Sequence, residues 1–282
     1  MRVFFNHLAK CGGTTIYELA KREYKENAHK IYSNTSYEEV KKWLNKDRVF
    51  ISGELINTNR AILDCIINDI DLTKITISRD PIERFKSFCG HSTRGSLAKH
   101  AGVSYWGSEF LISQPISAKN WLEIALKRFE TMIILGEDRY KDNLKSTQEL
   151  FPIYSQWLLG SMLSIIDPKS KTFSDYGGRI DKHVLNTRRI IHELNFKPEI
   201  YFPTFTHQFY TILGTTDKLN EFTIKLLDHG IFKNRISSMP IENSSQLLQR
   251  ENQEVFNISD SLISQYFAIA PEDFYFHYAC RI

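Results

Sequence analysis

Apolar runs recur along the first part of the chain. RVFFNH (2–7) has the pattern of a strand, and RVFIS (48–52) and TKITIS (73–78) are short β-branched runs without polar alternation. Runs of this length and composition are typical of strands that are buried on both faces of a sheet. We therefore predict three strands in this part of the chain, of which the second and third are buried on both faces.

The segments between these strands carry a helical pattern instead. Apolar residues at Ile16, Leu19 and Ala20 share one face of a helix, and the segment NRAILDCIINDI is also predicted to be helical. The segment SYEEVKKWL opens with Ser36 and Glu39 at the spacing of a capping box, which indicates a helix start. Strands separated by helices predict a parallel sheet with right-handed crossovers and helices on both faces.

From about residue 118 the pattern becomes mostly helical, as in AKNWLEIALKRF, IYSQWLLGSML, DKHVLNTRRIIHEL and SDSLISQYF. One more strand is predicted in FYTILG (209–214), before the helix DKLNEFTIKLLDHG. The stretches 92–117 and 233–258 are rich in Ser, Asn and Gly and are predicted to be surface loops rather than linkers. The fold class that we predict is α/β, a single domain over residues 1–282 with a P-loop-like parallel β-sheet flanked by helices and a mostly helical C-terminal half.

The overall charge gives little information about partners. Lys and Arg number 36 against 33 Asp and Glu, which leaves a net charge of +3. This balance gives no general case for nucleic-acid binding, so we expect no nucleic-acid partner and a local anion site at most. The oligomeric state cannot be read from the sequence.

The cysteines and the apolar segments bear on the compartment. Cys11, Cys65, Cys89 and Cys280 show no CxxC and no paired spacing, which argues against a disulfide framework or a zinc site and favours free thiols in a reducing environment. The chain has no basic, apolar leader and no apolar run of about 18 residues. We therefore expect a cytoplasmic protein without a signal peptide or transmembrane segment.

The stretch HLAKCGGTT follows the first strand and opens the first helix. A glycine-rich turn at this place directs backbone N–H groups and the positive end of a helix dipole at an anion. Gly12 and Gly13 would let the backbone approach the anion, while Thr14 and Thr15 could cap the helix and offer hydroxyls. Lys10 precedes the glycines, unlike the lysine of a Walker A loop. A plain strand-to-helix turn with capping threonines is the alternative interpretation.

A second stretch, ITISRDPIERFKSFCGHSTRG (75–95), also joins a strand to a helix. Asp80, Pro81 and Glu83 fit the N-cap, first and third positions of that helix. Arg79 then lies at the carboxyl end of the strand, which is the ligand-binding edge of open α/β sheets. Its planar fork suits a second phosphate group.

The other polar residues of this helix receive different interpretations. A buried stripe is predicted from Ile82, Phe85 and Cys89, so Ser87 would lie off the stripe and be polar for a functional reason. Arg84 lies four residues after Asp80, and we interpret it as half of an ion pair on the helix surface.

The segments HLAKCGGTT and RDPIERFKS together resemble the two signature segments of sulfotransferases that use 3′-phosphoadenosine 5′-phosphosulfate (PAPS). The likeness is to the Golgi heparan sulfate 6-O- and 2-O-sulfotransferases and their bacterial relatives. Further similarity lies in HSTRG (91–95), in LGTTDKLNEFTIKLL and in APEDFYFHYA, so that it spans nearly the whole chain. In this family the first segment binds the 5′-phosphosulfate, and the second supplies an Arg and a Ser, eight residues apart, for the 3′-phosphate.

The resemblance implies roles for individual residues. Lys10 would neutralise the leaving phosphate, and Cys11, at a position where relatives have Thr or Ser, would be a small filler in the loop. The predicted cofactor contacts are Lys10, Cys11, Gly12, Gly13, Thr14, Thr15, Arg79 and Ser87. No metal is expected, because the family uses lysine and backbone donors in its place and because no DxD-like pair or HExxH is present.

The transfer also requires a base that takes the proton of the hydroxyl group receiving the sulfuryl group, called the acceptor. Several residues are candidates for this base. Glu54 follows Gly53 at the place where the family has a His or Glu, and we predict it as the base, although the 2-O and 6-O enzymes have histidine there. Its alternative is a solvated carboxylate at a strand end. His91 is the competing base or an acceptor contact, and Arg94 is a further acceptor contact. His7 is less favoured, because packing or hydrogen bonding at the strand end also explains it.

The expected activity is transfer of a sulfuryl group from PAPS to a hydroxyl group by in-line displacement. The expected acceptor is a carbohydrate or glycolipid, while a tyrosyl or small-molecule acceptor stays open. Two alternatives come from other classes: an atypical P-loop nucleotide phosphotransferase that needs Mg²⁺, and a non-catalytic module that binds a carbohydrate or 3′-phosphoadenosine 5′-phosphate (PAP).

Overall fold

The computed structural model describes residues 1–32, 34–54, 58–87, 197–233 and 257–281, together with single positions at 119, 120, 122, 123, 126, 127, 193 and 195. The predicted loop 92–117, most of 233–258, and the predicted helices IYSQWLLGSML and DKHVLNTRRIIHEL, apart from position 193, lie outside the described residues.

The predicted parallel sheet is confirmed and contains five strands in the order β2-β3-β1-β4-β5. The strands are β1 (Arg2–Asn6), β2 (Ala28–Lys30), β3 (Val49–Gly53), β4 (Leu72–Ser78) and β5 (Ile212–Thr215). All neighbouring pairs are parallel. The sequence did not predict β2, because its three residues contain no apolar run and are only half-buried.

Helices cover the sheet, as predicted. They are α1 (Gly13–Tyr24), α2 (Tyr37–Leu44), α3 (Arg60–Asn68), α4 (Pro198–Phe209), α5 (Leu219–Asp228), α6 (Asp260–Ile269) and α7 (Pro271–Arg281). Residues 81–87 are also helical and are called the 81–87 helix below. The capping box is confirmed at α2, where the Glu39 N–H donates to Ser36 Oγ over 3.3 Å and the Ser36 N–H donates to the Glu39 carboxylate over 2.8 Å.

The strand predicted over 209–214 is displaced toward the C-terminus in the structure. Phe209 ends α4, and the Tyr210 N–H still donates to the Thr206 carbonyl, so both aromatic residues belong to the helix end. Strand propensity depends on context, and the helical hydrogen bond to Thr206 overrides the β-propensity of the two aromatic side chains here. The strand itself begins at Ile212.

The two faces of the sheet bury different side chains. Phe5 packs into a cluster with residues of α1, α4, α5 and α7, while Phe4, its neighbour in the strand, packs into a second cluster with residues of α2 and α3. Successive side chains of a strand point to opposite faces, so the two clusters lie on opposite sides of β1. Both faces of the central strands are therefore apolar, and polar groups come together at the strand ends.

None of the helices in the described parts of the chain is both long enough and apolar enough to cross a membrane.

Candidate functional site

The carboxyl ends of all five strands lie at the same edge of the sheet. In register, Asn6 of β1 lies beside Gly53 of β3 and near the end of β4, and Ser78 of β4 lies beside Thr215 of β5. The strand order changes direction at β1, since β3 lies on one side of it and β4 on the other. Such a switch point leaves a crevice that open α/β sheets use for ligands.

The loop between β1 and α1 makes a tight turn in this crevice. The Cys11 N–H donates to the Leu8 carbonyl over 3.2 Å, and both Lys10 (φ 65°) and Gly12 (φ 74°) have left-handed backbone. Glycine adopts this conformation at no steric cost, while for lysine it is strained. The Lys10 side chain is half-buried at the turn.

The N-terminus of α1 lacks a side-chain cap. Gly12 is the N-cap residue, and the first helical hydrogen bond runs from the Ile16 N–H to the Gly12 carbonyl. The prediction that Thr14 and Thr15 cap the helix is therefore wrong: both lie inside α1, Thr14 exposed and Thr15 buried. The prediction assumed that the helix would begin after the glycines, whereas Gly13 is already its first residue.

Gly13 is required by its contact with His7. A Cβ atom placed on Gly13 would lie 1.9 Å from Cδ2 and 2.2 Å from Nε2 of the His7 ring, so any other residue here would force the ring to move. The helix thus starts directly against the imidazole. The sequence analysis explained Gly13 by the approach of an anion, but the structure provides a contact within the protein that demands glycine.

His7 is buried and neutral. Its ring stacks on Phe5 with 5.8 Å between the ring centroids, and its backbone N–H donates to the Gly53 carbonyl over 2.9 Å. Burial, together with the positive charges of Lys30 and Lys10, lowers the pKa of His7 to about 3. The side-chain Nδ1 finds no hydrogen-bond partner among the described residues. His7 therefore lies within the fold beneath the loop and carries no charge at neutral pH.

The second predicted segment begins as expected. Asp80 Oδ1 accepts hydrogen bonds from the N–H groups of Ile82 and Glu83, each over 3.0 Å, which confirms Asp80 as the N-cap of the 81–87 helix. Arg79 precedes this cap at the end of β4, with its side chain 23% exposed. Its guanidinium lies 3.9 Å from the Glu83 carboxylate, a distance typical of a weak ion pair.

Two predictions on the 81–87 helix are wrong. Ser87 was expected off the buried stripe, but it is only 5% exposed, as buried as Ile82. Arg84 was expected on the surface beside Asp80, but its side chain is completely buried. The Arg84 Nε donates to the carbonyl of Ala9 over 2.9 Å. This bond joins the helix to the loop between β1 and α1, which is called the Lys10 loop below.

Sequence reasoning missed Arg84 because its partner is distant. An arginine at the i+4 position from an aspartate suggests an ion pair on the helix surface. The residue that accepts its hydrogen bond is 75 positions away, and no local pattern reveals it.

Glu54 follows β3 at the same edge and is half-buried. The strand pairing places Gly53 next to Asn6, and the His7 N–H binds the Gly53 carbonyl, so the chain before Glu54 is fixed against the start of the Lys10 loop. The structure thus brings Glu54 to the crevice; its role as a base stays a prediction. His91 and Arg94 lie outside the described residues.

A third segment reaches the crevice from the C-terminal part of the chain. The Thr216 methyl group lies 3.7 Å from the position of a Cβ atom on Gly12, so the turn after β5 lies next to the loop between β1 and α1. Asp217 in this turn forms an ion pair over 3.5 Å with Arg281 of α7. The sequence analysis used this region only as part of the resemblance and did not assign it to the site. Its Thr-Thr-Asp stretch directly after a strand was the available clue.

A buried polar pair lies beneath Arg79. Ser78 Oγ and His277 Nδ1 are 3.0 Å apart, and burial lowers the pKa of His277. Cys280 lies one turn further along α7, and burial raises the pKa of its thiol to about 12. A thiol with so high a pKa is a poor nucleophile at neutral pH. These groups connect α7 to the end of β4 and are covered by protein.

Metal-binding side chains do not gather within the described ranges: no group of three or more His, Cys, Asp or Glu is found there. The cysteines Cys11, Cys65 and Cys280 are free thiols. The chain matches no known family profile and no curated protein at a significant level.

The structure places Lys10 and the start of α1 after β1, and Arg79 at the end of the neighbouring strand β4. Helix N-termini and arginine side chains are both common anion contacts in proteins. A hydrogen bond from Arg84 joins the two segments.

Proposed function

We propose that the protein is a PAPS-dependent O-sulfotransferase whose acceptor is a carbohydrate or glycolipid hydroxyl. The observation that carries the proposal is the joining of the two signature-like segments at one sheet edge, through the hydrogen bond from Arg84 to Ala9. The N-terminus of α1 and Lys10 would bind the 5′-phosphosulfate, and Arg79 would bind the 3′-phosphate. Ser87 has little exposed surface, so its contact with the 3′-phosphate rests on the family resemblance alone.

In this mechanism the acceptor oxygen attacks the sulfur in line with the bond to the leaving phosphate. The new S–O bond forms as the S–O bond to the 5′-phosphate breaks, and PAP leaves with the electron pair. Lys10 and the N–H groups of Gly13 and Thr14 would stabilise the charge that develops on that phosphate. Glu54 would accept the proton of the acceptor hydroxyl. The proposal includes no metal.

Isothermal titration calorimetry tests the nucleotide part of the proposal. We expect PAP to bind in buffer with EDTA, and adenosine 5′-phosphate, which lacks the 3′-phosphate, to bind more weakly. A preference for ATP with Mg²⁺ over PAP would instead support a nucleotide phosphotransferase.

Transfer of labelled sulfate from PAPS to a glycan array tests the catalytic part and identifies the acceptor. Glu54→Gln should lower turnover by about 100- to 10,000-fold, because it removes the base and keeps the shape of the side chain. PAP affinity should change by less than about threefold, since Glu54 would contact the acceptor rather than the nucleotide. Full turnover in Glu54→Gln would disprove the base assignment, and PAP binding without transfer to any glycan would favour the non-catalytic module.

A further inference from the structure

Arg84 is among the largest side chains of the described residues that are completely buried. A guanidinium stays protonated in proteins, and burial of a charge costs free energy unless hydrogen bonds compensate. An apolar residue could fill the same space without this cost. The guanidinium is therefore of interest beyond packing, and its Nε donates to the Ala9 carbonyl over 2.9 Å.

The Ala9 carbonyl belongs to the peptide group that precedes Lys10. Rotation of that peptide about the N–Cα bond of Lys10 is the φ angle of Lys10, which is 65°. A left-handed lysine is strained and persists only when its surroundings hold it. By holding the Ala9 carbonyl, Arg84 fixes the plane of this peptide and with it the direction in which the Lys10 side chain leaves the backbone.

The same arginine is rigidly connected to Arg79. The Arg84 N–H donates to the Asp80 carbonyl over 2.8 Å within the first turn of the 81–87 helix, and Asp80 caps that turn through its side chain. Arg79 is the residue before this cap. One path from Lys10 to Arg79 is the pairing of β1 with β4, and a second path runs through the hydrogen bond from Arg84 and one capped helical turn.

We propose that Arg84 is a positioning residue, which fixes the separation between the Lys10 loop and Arg79 so that one nucleotide with both a 3′- and a 5′-phosphate spans them. This inference rests on the proposed function and deepens it. Arg84 itself does not contact the nucleotide, because its side chain is completely buried. Its contribution is to the simultaneous binding of two phosphate groups.

A defined consequence follows for affinity. When two contacts are held at the right separation, the second forms at a high effective concentration, and this advantage is lost when the separation varies. Loss of Arg84 should therefore weaken PAP, which uses both contacts. Adenosine 5′-phosphate and adenosine 3′-phosphate each use one contact, and their affinities should change little.

The test compares Arg84→Lys and Arg84→Met with the wild type by calorimetry against these three nucleotides. We expect PAP affinity to fall about 10-fold or more in both variants, and the affinity of each monophosphate to change by less than about threefold. Arg48→Met is the matched control, because it also removes a long-range arginine bond, the ion pair over 2.6 Å to Glu23. Its PAP affinity should stay at the wild-type value.

Thermal unfolding measures any loss of stability in the Arg84 variants, and chemical rescue distinguishes a loss of PAP affinity from a loss of folding. Millimolar methylguanidinium should restore PAP affinity to Arg84→Ala and leave an Arg79→Ala variant unchanged. The proposal is overturned if PAP and the monophosphates weaken by the same factor, or if Arg84→Lys binds PAP as the wild type does. A wild type that binds no PAP overturns the proposed function as well, which distinguishes the two failures.

Discussion

Two helices begin at the same edge of the sheet, and their first turns are built differently. The 81–87 helix starts with Asp80, whose carboxylate accepts two hydrogen bonds of 3.0 Å from backbone N–H groups. The α1 helix starts with Gly12, which offers no side-chain cap, and its first turn contains no acidic residue. A carboxylate at a helix start takes the place that an external anion would occupy. The protein itself thus fills the cap position of the 81–87 helix, whereas the cap position of α1 holds no carboxylate, as the proposed phosphate contact requires.

The largest effect expected in this comparison is on turnover, after substitution of Lys10, whereas substitution of Arg79 should affect PAP affinity. Lys10→Ala should lower sulfate transfer at least about 100- to 1,000-fold, because the charge on the leaving phosphate loses its stabilising partner. Arg79→Ala should mainly weaken PAP binding. Steady-state kinetics with labelled PAPS checks both, with the exposed Lys42→Ala as control. Equal losses of kcat and affinity in the two variants would contradict the division of roles.

A steric change at the start of α1 should cost stability. Gly13→Ala places a methyl group against the His7 ring, and overpacking of this kind should lower the free energy of unfolding by about 3 kcal/mol. The same substitution in a His7→Ala background should cost less than about 1 kcal/mol, since the methyl group then has space. Urea unfolding measures both, and an equal cost in the two backgrounds would show that the ring contact is not the cause.

Removal of the cap at the other helix should have a smaller effect. Asp80→Ala should destabilise the protein by about 1 kcal/mol, because two N–H groups lose their acceptor. Asp80→Asn should retain most of the stability, since asparagine is an equally good N-cap. Thermal unfolding compares them, and identical losses in both variants would mean that charge rather than capping matters there.

The smallest effect on stability should come from adding a charge to α1. Thr14 is exposed in the first turn, and Thr14→Asp should stabilise the protein by about 0.5 kcal/mol through the helix dipole. The same carboxylate should weaken PAP binding, because it competes with the phosphate for the same N–H groups. Thr14→Asn is the neutral control. If the Thr14→Asp variant is more stable and still binds PAP with wild-type affinity, the nucleotide does not bind at the start of α1.

Local chemistry explains which features the sequence predicted. The Asp80 cap, the capping box at Ser36 and Glu39 and the buried strands depend on neighbours within a few residues, and the structure confirms them. The prediction that Thr14 and Thr15 cap α1 was wrong because the helix already begins at Gly13. Helix boundaries depend on weaker local signals than the presence of a helix does.

Two further site features depend on contacts between distant parts of the chain. The packing of Thr216 on Gly12 and the burial of Arg84 arise only when the strands of the sheet come together. The contact of Gly13 with His7 is local, but a glycine after a strand has several explanations, and the sequence does not distinguish them. Composition and periodicity predict which residues form the core, but they do not predict which side chains contact each other at the site.

The hydrogen bond between Arg84 and Ala9 also has a consequence for folding. It closes a loop of 75 residues that contains three strands and three helices, so its entropic cost is met only after much of the parallel sheet has assembled. During synthesis the residues of the Lys10 loop leave the ribosome long before Arg84 does. The native geometry of the Lys10 loop is thus completed late, and a nascent chain that ends before the 81–87 helix lacks the side chain that holds it.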